Sequence, residues 1–196
     1  MKKELTPTAL DVLFRNARSF SYWKAKPVSD VQCQQIYDLM KMGPTAANSC
    51  PARIVFIKSD AAKQRLKPHL NEGNIEKCMT APVVAIIAMD LEFHERLPFL
   101  FPHTDARSWY AGKEEKIIAS AEKNSTLQGA YFMLALRSLG LDAGPMTGFN
   151  NETLDQEFFP DGKIKSNFIC PFGYGDESKL HPRGPRLAFD EACKII

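Results

Sequence analysis

Apolar residues along the chain form patterns that predict three strands. Residues 53–58 are a short β-branched run, and residues 83–89 are a longer run that is apolar on both faces, as in the centre of a sheet. A third strand is predicted at 167–173, where Pro171 indicates an edge or bulged strand because proline cannot donate a ladder hydrogen bond. These runs predict a mixed sheet with 83–89 as its central strand.

Helical patterns fill much of the remaining chain. A helix capped at Ser29 or Asp30 precedes the first strand. The strongest helical pattern covers 125–139; it begins with a capping box at Ser125 and ends with a Schellman stop at Gly140. Its apolar residues cover nearly the whole circumference, so we expect a buried central helix, preceded by a separate helix over 113–123.

Composition and charge narrow the class of protein. The chain has 196 residues, 44% of them hydrophobic, and shows no repeat or domain boundary, so we expect a single domain spanning 1–196. The formal net charge of +2 is scattered, which favours neither a nucleic acid nor a membrane as partner. The five cysteines and four histidines have no metal-ligand spacing. We therefore expect no metal site, and reduced thiols in the cytoplasm.

The segment 43–53 between the second helix and the first strand is small and polar. Thr45, Asn48 and Ser49 offer hydroxyl and amide groups, and the neighbouring alanines would let a flat ligand come close. The alternative is an ordinary loop between a helix and a strand, and both interpretations remain open.

Three further places could bind a ligand. Arg18 lies among small polar residues and would suit an anion, although a solvated loop is the other interpretation. Asn74 fits a turn or a ligand amide. Gly144 and Gly148 flank a short segment where a ligand could approach the backbone closely.

Taken in order, these motifs resemble the nitroreductase family of FMN-dependent oxidoreductases over essentially the whole chain. Three stretches, which begin at Ala52, Leu100 and Gly173, resemble more narrowly its malonic semialdehyde reductase branch. The resemblance implies an α+β fold, with a mixed β-sheet flanked by helices, in an intertwined homodimer with two FMN sites at the subunit interface.

The resemblance also assigns residues to the cofactor. The N-terminal contacts with the FMN phosphate and ribityl chain would be Arg18, Ser19 and Ser21; the loop from the partner subunit, Pro44, Thr45 and Asn48; the amide at the isoalloxazine ring, Asn74; the segment along the flavin, Pro145, Met146, Thr147 and Gly148; and the late phosphate contacts, Arg183 and Arg186. Ala17, Ser21 and Gly184 stand where the family pattern is usually basic, so we expect fewer cations around the phosphate than usual.

The expected activity is ping-pong hydride transfer from NAD(P)H, through FMN, to a small oxidised substrate. If that substrate is malonic semialdehyde, giving 3-hydroxypropionate, its carboxylate needs a cation. Arg107 is the candidate, with Trp109 and Phe101 closing the site; the alternative is that Arg107 forms a surface ion pair. A general nitroreductase, a quinone or enone reductase, a flavin-binding regulatory or storage protein, and a relative that has lost FMN remain open.

Overall fold

The computed structural model describes residues 3–196 and contains one four-stranded sheet with helices packed on both faces. The strands are β1 (Ala52–Ile57), β2 (Val83–Asp90), β3 (Asp142–Ala143) and β4 (Ile164–Gly173). The helices are α1 (Pro7–Leu10), α2 (Asp30–Met40), α3 (Asp60–Leu66), α4 (Glu72–Thr80), α5 (Leu97–Leu100), α6 (Glu114–Ser138), α7 (Asn151–Phe158) and α8 (Phe189–Ala192). Of the two residues predicted as the cap of α2, the structure uses Ser29, whose side chain accepts from the Gln32 N–H.

Strand β2 separates two hydrophobic cores. Its residues 83–88 are inaccessible to solvent, and alternate side chains point to opposite faces. Val83, Ala85 and Ile87 pack with α2 and α6, whereas Val84 and Ile86 pack with α3, α4 and α7. The prediction that this run forms the centre of the sheet is confirmed.

The sheet has the order β1-β2-β4-β3, and all of its strand pairs are antiparallel. The prediction of a mixed sheet is therefore wrong for these four strands. The parallel pairing seen in residues 3–196 is one isolated bridge between Ser19 and Ala143. Strand β4 lies inside the sheet, and its irregularity is at Asn167 rather than at Pro171. The Pro171 carbonyl accepts from the Gly144 N–H, directly after the very short strand β3. The nitrogen of Pro171 points to the same side as its carbonyl, where the ladder with β3 has already ended, so the missing N–H costs the sheet no ladder hydrogen bond.

The two helices predicted at 113–123 and 125–139 are one continuous helix, α6. Ser125 does not cap a new helix; its hydroxyl and that of Thr126 donate to the carbonyl of Glu122 at 3.0 and 2.8 Å. The predicted stop is confirmed: Gly140 has φ 71°, and the Leu141 N–H donates to Leu136 O at 3.0 Å.

Helix α6 is not buried all round within one chain. Phe132, Ala135 and Leu136 belong to the core, but Leu127 and Tyr131, one turn apart, are 46% and 38% exposed. The apolar circumference therefore leaves one strip uncovered, which contradicts the prediction of a fully buried helix for the single chain.

Candidate functional site

Three distant segments bring four arginines to one cleft of 230 Å³. The C-terminal segment is tied to the N-terminal one, because Arg18 donates to His181 O and Arg183 donates to Ala17 O at 2.8 Å. Arg186 and, from the last turn of α6, Arg137 complete the set. No carboxylate among residues 3–196 lines this basic cleft, so its charge is positive and suits a phosphate.

Arg137 is the member of the basic cleft that sequence reasoning missed. Its Nη1 donates to Leu13 O at 3.0 Å, but its Nε is buried and has no hydrogen-bond partner in the part of the chain that the structure describes. Burial lowers the pKa of the Arg137 guanidinium below its usual value. A buried charged group with an unpaired donor favours an anionic ligand. Its one signal in the sequence was an arginine interrupting a strongly apolar helix.

Two of the three predicted N-terminal contacts lie at the basic cleft, and the third, Ser21, does not. Arg18 and Ser19 line the basic cleft, whereas Ser21 is exposed and does not line it. Ala17 and Gly184, which stand at two positions where the family pattern is usually basic, also line this cleft, and Arg137 adds a cation there from α6.

The backbone of segment 144–148 packs so closely against its neighbours that neither Gly144 nor Gly148 has room for a Cβ atom. A Cβ on Gly144 would lie 2.2 Å from Phe20 O, and a Cβ on Gly148 would lie 2.3 Å from Asn74 Nδ2. The Asn74 amide also donates to Gly148 O at 3.1 Å. The structure therefore brings together Asn74 and Gly148, which the sequence indicated separately.

Two backbone donors of this segment are free. The N–H of Met146 donates to Ile169 O at 2.8 Å, and that of Phe149 donates to Thr147 O at 3.0 Å. The N–H groups of Thr147 and Gly148 have no acceptor among residues 3–196.

A second cleft, of 410 Å³, runs along the same segment. It is lined by Thr126, Met133, Pro145, Met146, Thr147, Asn167 and Phe168. Its floor is fixed in part by the Asn167 amide, which donates to Ser125 Oγ at 2.8 Å and Thr126 Oγ1 at 2.9 Å. Apolar walls with a few fixed polar groups are typical of a site for a planar ring.

Lys77 is a second residue that sequence reasoning missed. It lies one turn after Asn74 on α4, so both side chains lie on one face. Its Nζ is 3.2 Å from the position a Cβ on Gly144 would occupy, and it has no hydrogen-bond partner among the described residues. Burial lowers the pKa of the Lys77 ammonium. Lys77 thus places a cation beside the close-packed segment 144–148.

The 44–48 loop lies elsewhere in the single chain. The Ala46 N–H donates to Asn124 Oδ1 at 2.8 Å, and the Asn48 amide donates to Leu100 O at 2.9 Å. Thr126, which lines the second cleft, is two residues from Asn124 and so faces about 200° around α6. The structure therefore does not bring Pro44, Thr45 and Asn48 to the clefts of their own chain.

Arg107 forms the surface ion pair that was its alternative interpretation. Its Nε and Nη2 donate to the two carboxylate oxygens of Glu95, both at 2.7 Å, and both side chains are exposed. This guanidinium holds the pKa of the Glu95 carboxyl below its usual value. Trp109 packs edge-on against Phe101 with ring centres 6.1 Å apart. The guanidinium fork proposed for a substrate is occupied by Glu95 here.

No helix in residues 3–196 is both long and apolar enough to cross a bilayer. No group of three or more His, Cys, Asp or Glu side chains in the same range is placed to hold a metal ion.

Comparison with known proteins identifies the family from the sequence. The profile of the Nitroreductase family matches residues 15–174. Proteins provisionally named NADH dehydrogenase/NAD(P)H nitroreductase from Ralstonia nicotianae and Rhodopseudomonas palustris are 56% and 53% identical; the first match covers 98% of both chains and the second covers 100%.

Solved structures share the fold at low sequence identity. A provisionally named nitroreductase from Bacillus subtilis superposes with a TM-score of 0.89 at 20% identity, covering 97% of this chain and 100% of that one. One from Exiguobacterium sibiricum, solved in complex with FMN, gives 0.85 at 15% identity over 100% of both chains.

Proposed function

Since the chain belongs to the nitroreductase family, we propose that it is an FMN-dependent oxidoreductase that takes hydride from NAD(P)H. The observation that carries this proposal is the buried Arg137 Nε, which finds no partner within residues 3–196 and lies in a cleft lined by three more arginines. Bound FMN would supply the hydride-transfer chemistry, and the protein would supply position and charge.

The residues of this chain fit the two ends of FMN. Arg18, Arg137, Arg183 and Arg186 would bind the phosphate through charge-assisted hydrogen bonds. Toward the ring, the close-packed glycines would allow contact with the backbone, and the N–H groups of Thr147 and Gly148 would be the backbone donors available to the flavin.

Two side chains beside this segment would act on the flavin ring, one through its charge and the other by orienting the ring. The Lys77 ammonium would stabilise negative charge that develops nearby on reduction. Asn74, fixed by its bond to Gly148 O, would orient the ring through its remaining amide atoms.

We also propose that the protein is a homodimer in which the 44–48 loop contacts the partner's FMN. The proposal is supported by the position of that loop, which lies on the side of α6 away from the second cleft, and by the exposed strip at Leu127 and Tyr131. The C-terminal segment adds exposed apolar side chains, Leu187 at 71% and Phe189 at 64%. Obligate dimer interfaces usually bury more than about 2,000 Å² in total. A monomeric mass in light scattering, with flavin still bound, would contradict the dimer.

The narrower proposal is that the hydride acceptor is malonic semialdehyde, reduced to 3-hydroxypropionate. It is supported by the resemblance of the stretches that begin at Ala52, Leu100 and Gly173. A single domain over 1–196 and a cytoplasmic location stay predictions.

Arg107 can serve this substrate only if it leaves Glu95. If it does, Arg107→Ala lowers activity on malonic semialdehyde far more than on a neutral nitrofuran. Equal losses on both substrates would remove Arg107 from the substrate site.

A general nitroreductase remains the second candidate, because the relatives from Ralstonia nicotianae and Rhodopseudomonas palustris carry that name. Steady-state rates separate the two. Faster turnover of nitro compounds than of any aldehyde would favour the general reductase, and bound flavin without NAD(P)H oxidation would favour a storage or regulatory protein.

A further inference from the structure

A third cleft, of 410 Å³, lies beside the 44–48 loop and is separate from the two clefts assigned to FMN. It is lined by Tyr37, Cys50, Ala52, Arg53, Ile54, Phe56, Arg96 and Leu100. The lining combines apolar side chains with the polar groups of two arginines, and no carboxylate of residues 3–196 is part of it. Such a lining suits a small molecule with an apolar body and one negative charge.

The two arginines differ in what they already bind. The guanidinium of Arg53 is already held by protein groups, because its Nη2 pairs with Asp90 and its Nη1 donates to the carbonyls of Cys50 and Ala52 at 3.1 and 2.9 Å. Arg96 has no hydrogen-bond or ion-pair partner among residues 3–196. Arg107, the cation first considered for a substrate, is held by Glu95. Arg96 is therefore the free cation of this cleft.

The third cleft adjoins the loop that we assign to the partner's FMN. Leu100 lines the cleft, and its carbonyl accepts the hydrogen bond from the Asn48 amide. Cys50 lines it as well and follows directly in the same loop, where its N–H donates to Thr45 Oγ1 at 3.1 Å. A molecule in this cleft would touch the residues that approach the flavin of the other subunit.

We propose that Arg96 binds the carboxylate of the hydride acceptor in this cleft, so that the preferred acceptors are small organic acids. This inference rests on the proposed function and names the substrate class of the same site. The fork of Arg96 binds a carboxylate through two N–H groups, and the apolar wall formed by Ile54 and Phe56 excludes water from the rest of the molecule.

The test compares two acceptors that differ in charge, 4-nitrobenzoate and its neutral methyl ester. We expect Arg96→Ala to lower kcat/KM for 4-nitrobenzoate by at least about ten-fold, and for the ester by less than about two-fold. Arg65→Ala is the matched control, because Arg65 pairs with Glu157 and lines none of the three clefts; it should leave kcat/KM for both acceptors within about two-fold of wild type. Equal losses on both acceptors in Arg96→Ala, or a selective loss on 4-nitrobenzoate in Arg65→Ala, would overturn the assignment.

A binding measurement separates this inference from the proposed function. Isothermal titration of wild type and Arg96→Ala with benzoate, and with neutral benzamide, needs no turnover. Benzoate binding to wild type that falls at least about ten-fold in a folded Arg96→Ala, with benzamide unchanged, supports the site even if NAD(P)H oxidation is absent. Equal benzoate binding by both proteins, or none by wild type, would overturn it.

Discussion

Replacing Arg137 by alanine tests whether its buried guanidinium holds the FMN phosphate. Within residues 3–196 of the free protein, the side chain makes one hydrogen bond, to Leu13 O at 3.0 Å, and leaves Nε unpaired. Its removal costs the fold one bond but also removes a desolvated charge, so we expect the free energy of unfolding to change by less than about 2 kcal/mol. FMN, by contrast, would lose a charge-assisted contact worth roughly 1.5–3 kcal/mol.

That loss raises the FMN dissociation constant roughly ten- to a hundredfold. Titration of apoprotein into FMN, followed by quenching of flavin fluorescence, measures it directly. Arg137→Lys keeps the charge without the fork and should lie between wild type and alanine. Arg65→Ala is the matched control, because Arg65 pairs with Glu157 and lines none of the three clefts.

The result that refutes the reasoning is specific. A folded Arg137→Ala that binds FMN within about two-fold of wild type would show that the guanidinium does not reach the phosphate. A thermal melt of the apoprotein confirms that the variant is folded.

Other consequences follow from the same structure. Arg186→Ala should also weaken FMN binding, by roughly 1.5–3 kcal/mol; unchanged affinity would remove it from the site. Gly144→Ala should lower the free energy of unfolding by roughly 1–3 kcal/mol, because its Cβ meets a backbone carbonyl, whereas Gly73→Ala has nothing within 4 Å and should not. Burial raises the pKa of the Cys170 thiol to about 12. Because the unfolded thiol loses its proton near about pH 8.5, the stabilisation that the buried thiol provides is fully present below that pH and is lost as the pH rises toward about 12. Denaturant melts of wild type and Cys170→Ala across that range should converge toward high pH, and a constant difference would contradict the shift. Leu127→Glu should halve the mass in light scattering, while a dimeric mass would contradict the interface on α6.

The strands could be predicted because each is a local pattern. Runs of apolar and β-branched residues located β1, β2 and most of β4, and β2 was recognised as central because both faces are apolar. Helix α6 was divided in error because the residues from Ser125 to Gln128 fit a capping box. In the structure the Gln128 side chain accepts instead from the Ala52 N–H at 2.8 Å, a tertiary contact that local sequence does not reveal.

Part of the candidate site could be selected from the sequence, where a motif carries its own backbone chemistry. Asn74 and Gly148 were both selected from the sequence, and the structure joins them. Arg137 and Lys77 escaped because their roles depend on distant partners: Arg137 bonds to a carbonyl 124 residues away, and Lys77 lies beside Gly144. Neither neighbour is visible in a window of sequence.

Anaerobic stopped-flow reduction tests the central claim most directly. Protein reconstituted with FMN is mixed with NADH or NADPH, and then with malonic semialdehyde or a nitrofuran. We predict that the visible flavin absorption bleaches with the first addition and returns with the second, since both half-reactions use one flavin. A protein that binds no FMN, or bound flavin that stays oxidised with both nucleotides, would contradict the account.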